Sequence, residues 1–285
     1  MAPGIGTKLR AYGELIRLDL AFGAGFFVVA GEIFAAGGLP PLSLAGAGFV
    51  ALFFISGSAN IANDYFDREV DRINLPSRPI PSGRVSVREV RALFILASVA
   101  GLAAAAFPGP QVFAPAVLLW GLSVLYNMKI KEFGIAGNIT VAFCVGMTVI
   151  LGGLAVHILS GIVITFGALA FLFDLGEEIA ADSMDLEGDR VRSSRSLAGR
   201  RGRTFALRLS VLPFSVFIAL VPAPFFLGWP WYDYLVMAAV FDIWMIWCVA
   251  NLVADRSIEE GRVWIRRLYL SWGLFMILVV LARLL

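Results

Sequence analysis

Two acidic stretches, their first aspartates 118 residues apart, repeat one spacing. The first runs Asn63-Asp64-Tyr65-Phe66-Asp67-Arg68-Glu69-Val70-Asp71-Arg72, the second Asp182-Ser183-Met184-Asp185-Leu186-Glu187-Gly188-Asp189-Arg190, and each spells D-x-x-D-x-x-x-D-R. On a helix turning about 100° per residue, each trio of aspartates falls within an arc of about 60°. Like charges so placed repel, so a helix gains nothing from them on its own account. Hard divalent cations with phosphate-bearing partners are the usual reason to gather carboxylates this way. Asn63, Asp67 and Asp71, at i, i+4 and i+8, are spaced to hold one Mg²⁺. Asp185 and Asp189 are spaced to hold a second, with Asp182 behind or beside them. Two such ions around one diphosphate would neutralise it and make it a good leaving group.

The residues nearby extend that chemistry. Arg72, Arg78, Arg190, Arg195, Lys129 and Lys131 are candidate donors to phosphate oxygens. Asp64 on the first stripe and Asn138 after the third basic segment join them as candidate substrate-binding residues. An allylic leaving group would depart to give a delocalised carbocation, which an aromatic face such as Tyr126, Tyr65 or Phe66 stabilises without quenching. The reaction these residues suit is prenyl transfer, with Asp67, Asp71, Asp185, Asp189 and Tyr126 as the candidate catalytic set.

The elements that must position this chemistry are membrane spans. The chain is 59% hydrophobic and 15% charged, far from the composition of a soluble domain. Apolar runs of about 20 residues, long enough to cross a bilayer, recur nine times, near 18–37, 42–62, 88–107, 111–127, 135–155, 157–176, 205–228, 232–253 and 264–285. The expectation is an all-α, polytopic bundle forming one domain over residues 1–285. Its cytoplasmic motif loops would lie near 63–87, 126–134 and 177–204.

Of the 23 basic residues, 22 fall on one side, in or beside alternate connections, and only Arg283 lies at the far end of the last span. The positive-inside rule then puts the N-terminus in the cytoplasm and the C-terminus outside, in a multi-pass protein of the cell membrane. The first span is long and interrupted by Asp19 and Glu32, which argues against a cleaved signal peptide. Nothing in the charge pattern suggests a nucleic-acid-binding domain.

Both long cytoplasmic segments continue from an acidic stripe into a basic strap. In the first, Pro76, Pro79, Pro81 and Gly83 preclude further helix, so Arg72–Arg84 reads as an ordered turn over the acidic face. The parallel in the second segment suggests an internal duplication. A third loop with Tyr126, Lys129, Lys131 and Asn138 would help roof a cavity, its lysines apart from both stripes. Cys144 and Cys248 lie inside spans and read as small buried residues rather than a disulfide pair. His157, the only histidine, sits in a short outer loop. Glu32 and Asp174 lie in or at the edge of spans, where an ionisable group is a functional candidate by default, though either can be a paired structural group. A transporter would also suit repeats and intramembrane charge, but its site belongs near the bilayer midplane and not at cytoplasmic helix ends.

These motifs resemble those of the UbiA superfamily of intramembrane prenyltransferases. Asn63-x-x-x-Asp67-x-x-x-Asp71 is similar to its first motif, Asp185-x-x-x-Asp189 to its second, and Tyr126 with Lys129 or Lys131 to its tyrosine–lysine motif. The resemblance implies a helical bundle around a central cavity, Mg²⁺ dependence, a prenyl diphosphate donor and a membrane-soluble acceptor. Within the superfamily, Asn63–Ser86 looks most like two branches, chlorophyll or bacteriochlorophyll synthase and archaeal digeranylgeranylglyceryl phosphate synthase, and Asp185–Arg190 leans to the archaeal one. That branch transfers geranylgeranyl from its diphosphate to geranylgeranylglyceryl phosphate in ether-lipid synthesis. Branches acting on an aromatic or chlorin acceptor are the alternative. The chain departs from the lipid branch at Glu177-Glu178, where Arg-Glu is usual, at Ala181, where a lysine is, and at Asp19, where an asparagine is.

Overall fold

The computed structural model describes residues 4–184, 197–229, 232–254 and 257–285. All regular structure among them is helical: α1 (Ile5–Ile16), α2 (Leu18–Ala36), α3 (Leu42–Asn74), α4 (Val87–Ala106), α5 (Pro110–Met128), a 3₁₀ turn (Ile130–Phe133), α6 (Ile135–Ala155), α7 (Gly161–Asp182), α8 (Leu197–Arg201), α9 (Arg203–Leu220), α10 (Ala223–Phe226), α11 (Tyr232–Ala254) and α12 (Ile258–Leu284).

Helix limits follow local chemistry. Ser86 and Glu89 form a reciprocal capping box at the start of α4, satisfying two donors the helix itself leaves open. Ser160 and Ser257 cap α7 and α12 through their hydroxyls. At the end of α2, Gly37 takes a left-handed φ of 74° and donates to the Ile33 carbonyl.

Eight helices are long and apolar enough to cross a membrane among the described residues, rather than the nine expected. The helix left out is α7, which has the length, 22 residues, but carries Asp174, Glu177, Glu178 and Asp182. Many large apolar side chains point outward, Leu96 at 67% exposure and Ile243 at 70% among them. Apolar surface on that scale needs lipid against it. The chain is a multi-pass membrane protein.

Lipid tails are as apolar as leucine, so helices associate in a bilayer by close backbone approach. Gly31 of α2 and Gly152 of α6 supply it: a Cβ on Gly31 would lie 2.1 Å from the Val149 carbonyl oxygen, and one on Gly152 2.1 Å from that of Val28. A second, aromatic core joins α2, α7, α9, α11 and α12, with Phe34 on Phe166 at 4.3 Å between ring centres and Phe241 stacked on Phe275 at 4.2 Å. These contacts fix α2, α6 and α7, which with α3 and α5 enclose a cavity.

Candidate active site

The first acidic stripe ends α3, a single helix that runs 33 residues from span to motif. Its periodicity turns Asp64, Asp67 and Asp71 to one face, and all three are buried. Buried carboxylates need partners, and three cations from three separate elements provide them. Arg78, on the strap after α3, donates from one nitrogen to Asp64 Oδ1 at 3.1 Å and Asp71 Oδ2 at 2.9 Å. Arg17 donates to Asp64 Oδ1 at 3.2 Å and to the side-chain oxygen of Asn63 at 3.1 Å. Lys131, on the 3₁₀ turn after α5, donates to Asp67 Oδ1.

The strap is ordered as its prolines require. Arg78 N–H donates to the Leu75 carbonyl at 3.0 Å, and Ser82 N–H to the Arg78 carbonyl at 3.0 Å. Gly83 sits at a φ of 72°, the left-handed region that glycine enters without a Cβ clash. A clamp holds the strap from outside: Arg84 donates to both Glu14 oxygens, at 3.0 and 2.6 Å, and to the Ser77 carbonyl at 2.7 Å. The Arg84 guanidinium holds the Glu14 carboxyl below its ordinary value of 4.5.

Two residues that the sequence reading did not single out orient the stripe. Arg17 separates α1 from α2 in a left-handed conformation, φ 52°, unusual for a residue with a Cβ. Its guanidinium bridges Asn63 and Asp64. Asn127, buried near the end of α5, accepts from the Asn63 amide at 3.0 Å while donating to the Ala59 and Ser123 carbonyls. A buried asparagine at a span end is the only sequence signal for it.

Other expectations divide. Asn138 of α6 donates to Asp182 Oδ2 of α7 at 3.0 Å, joining the third loop to the second stripe. Lys131 does not stand apart from the acidic stripes, as its loop suggested, but lies on the first one; Lys129 is exposed. Arg72 pairs with Glu69 at 2.7 Å on the exposed side of α3. Tyr65 takes the Arg68 guanidinium over its ring at 4.7 Å and Phe66 is exposed, so neither lines the cavity. Asp185, Asp189, Arg190 and Arg195 fall outside the described residues.

Below the stripe lies a cavity of about 410 Å³. Arg17, Asn63, Tyr126 and Asn127 form its polar end, and Phe27, Leu52, Ile55, Leu119 and Val145 much of its apolar wall. Asp174, Glu177 and Glu178 of α7 line the same space. A charged mouth over an apolar pocket can hold an anionic head and its hydrocarbon tail. Among the described residues no three His, Cys, Asp or Glu side chains form a ready metal cage. On the first stripe, cations occupy the carboxylates, and the donors there are hard oxygens of the kind Mg²⁺ takes singly or in pairs.

The model of the UbiA prenyltransferase family matches residues 24–279. The chain is 31% identical to the digeranylgeranylglyceryl phosphate synthase of Methanocaldococcus jannaschii over 257 residues, 89% of each chain. It is 35% identical to the same enzyme of Methanopyrus kandleri, over 81% of this chain and 84% of that one. A solved structure concerned with digeranylgeranylglyceryl phosphate synthase in membranes superposes with a TM-score of 0.78 at 26% identity, covering 97% of this chain and 98% of the other. A UbiA homologue from Archaeoglobus fulgidus, bound to dimethylallyl diphosphate and Mg²⁺, shares the fold at a TM-score of 0.71 and 18% identity, over 95% of this chain and 99% of its own.

Proposed function

The chain belongs to the UbiA prenyltransferase family, and on that footing we propose that it transfers a geranylgeranyl group from geranylgeranyl diphosphate to geranylgeranylglyceryl phosphate. The observation that carries this reading is the buried stripe of Asp64, Asp67 and Asp71, matched by Arg17, Arg78 and Lys131, with Arg17 and Asn63 continuing the network to the polar end of an apolar cavity. Relatives named for this activity, similar over most of their length, support the choice of substrates.

Asn63, Asp67 and Asp71 would hold one Mg²⁺ and Asp182, Asp185 and Asp189 the other. Ions held there would supply charge neutralisation to a departing diphosphate. When the donor enters, Arg17, Arg78 and Lys131 transfer hydrogen bonds from the carboxylates to the diphosphate oxygens. Asn127 keeps the Asn63 side chain turned toward the stripe. Tyr126, on the cavity wall, offers its ring face to the allylic cation. The apolar wall takes the tail and excludes water that would trap the cation. Lys129, exposed after α5, is left for the acceptor's phosphate.

Membrane orientation follows the segregation of charge, with the N-terminus and the motif loops cytoplasmic and the C-terminus outside. Incubating the purified protein with labelled geranylgeranyl diphosphate and a panel of phosphorylated, aromatic and chlorin acceptors tests the reading. Mass spectrometry should find the label on geranylgeranylglyceryl phosphate. Label on a ring acceptor alone would replace the assignment.

A further inference from the structure

Three carboxylates on α7 remain outside this account of the donor. Asp174, Glu177 and Glu178, at i, i+3 and i+4, all line the cavity. Ionisable groups at this depth are costly, and a bundle keeps them where they meet a substrate or a partner. Asp174 Oδ2 is enclosed and has no hydrogen-bonding partner among the described residues. At about 1.5 Å of rise per residue, Glu178, Glu177 and Asp174 lie roughly 6, 7.5 and 12 Å from Asp182 toward the membrane interior. That is the level at which the reacting carbon of a donor would hang, its diphosphate held at Asn63, Asp67 and Asp182. Arg17 is the only basic side chain on the cavity wall among the described residues, and it is tied to Asn63 and Asp64. The wall beside the reacting carbon is therefore acidic, suited to a group that gives up a proton.

We propose that Glu177 is the base that receives the proton of the acceptor's hydroxyl, with Asp174 one turn deeper as a positioning residue for it. The proposal rests on the prenyl-transfer reading above. The donor's C–O bond breaks and its electron pair leaves with the diphosphate. The acceptor oxygen forms the new C–O bond to the allylic carbon, its O–H bond breaks, and the proton passes to the Glu177 carboxylate. An acceptor with its phosphate at the cytoplasmic mouth and its hydroxyl a few bonds deeper would bring that hydroxyl toward Glu177. Among the described residues, the other titratable or charged groups facing this cavity are Arg17, Tyr126, Cys144, Asp174, Glu178 and Tyr269.

The test compares wild type, Glu177→Gln, Glu177→Asp and Asp174→Asn in three measurements. These are affinity for a non-hydrolysable donor analogue, pyrophosphate release without acceptor, and transfer to acceptor across pH. Loss of a general base predicts a fall in kcat for transfer of about 10²-fold or more in Glu177→Gln. Donor affinity and acceptor-free pyrophosphate release should stay within about twofold of wild type, a range too small to register as a lost interaction. The rise of kcat/KM with pH should flatten in Glu177→Gln and return in Glu177→Asp. Asp174→Asn should shift that rise along the pH axis with a smaller loss of rate. Wild-type transfer rates in Glu177→Gln would overturn the proposal while leaving the prenyl-transfer reading intact. An equal fall in pyrophosphate release would also overturn it, placing Glu177 on the carbocation or the donor. A wild-type protein that transfers to no hydroxylic acceptor would overturn the functional reading and the base together.

Discussion

Arg78 reaches Asp71 Oδ2 at 2.9 Å from seven residues further along the chain, and the same nitrogen lies 3.1 Å from Asp64 Oδ1. One guanidinium thus ties both ends of the acidic stripe to the strap that covers it. A lysine at this position keeps the charge but loses the planar fork. Losing a charge-assisted hydrogen bond costs about 1.5–3 kcal/mol, so Arg78→Lys should lower kcat/KM for the donor roughly 10- to 100-fold. Steady-state kinetics on detergent-purified protein with a normal elution profile would check it. Unchanged kinetics would leave Arg78 as an orientation charge only.

The pairing of the stripe reverses one expectation drawn from repulsion. Clustered like charges alone would make Asp→Asn substitutions stabilising. Here Asp67→Asn would strand Lys131, whereas Asp71→Asn would leave Arg78 with Asp64 as its one carboxylate. Both variants should lose transfer activity; Asp67→Asn should also unfold earlier, by about 1–3 kcal/mol for an unsatisfied buried partner, and Asp71→Asn by less. Thermal denaturation beside activity separates the two effects. Variants at least as stable as wild type would show that the stripe is not held by its cations.

The two lysines of the third loop should part company. Lys131 is engaged with Asp67 whereas Lys129 is exposed. Lys131→Gln is expected to raise KM for the prenyl diphosphate, and Lys129→Gln to affect at most the phosphorylated acceptor. Varying one substrate at a time distinguishes them. An acceptor-specific defect in Lys131→Gln would move that residue to the other substrate.

The clamp between Glu14 and Arg84 makes a pH prediction. The folded-state value of Glu14 is depressed below 4.5, so its contribution is full above about 4.5 and is lost as pH falls through the lower, folded value. Hydrogen exchange over residues 75–86 should therefore be flat from neutral pH down to about 4.5 once corrected for intrinsic rates, then rise. Glu14→Gln should show the raised exchange already at neutral pH. Equal protection in the variant would mean the prolines hold the strap unaided.

Local chemistry in the sequence was enough to read the stripe, the strap and the membrane class. Aspartate spacing sets a helix face, prolines end α3, and apolar runs set the spans. The partners of the stripe were not readable, because they are tertiary. Lys131 is 64 residues from Asp67, and Arg17 is 47 from Asp64. Helix α1 is only 12 residues long, and its Lys8, Arg10 and Glu14 read as ordinary charges before a span. Among the described residues, eight helices rather than nine meet the length and apolarity of a span because Asp174, Glu177 and Glu178 of α7 face the cavity, not lipid.

The most direct test of the central claim is single-turnover transfer from geranylgeranyl diphosphate to geranylgeranylglyceryl phosphate by the purified protein, first stripped with EDTA and then given Mg²⁺. Metal-dependent prenyl transfer predicts no ether product without metal, full recovery on adding Mg²⁺, and an intact fold throughout. Transfer at the same rate in EDTA, or no transfer to this acceptor with Mg²⁺ present, would contradict it.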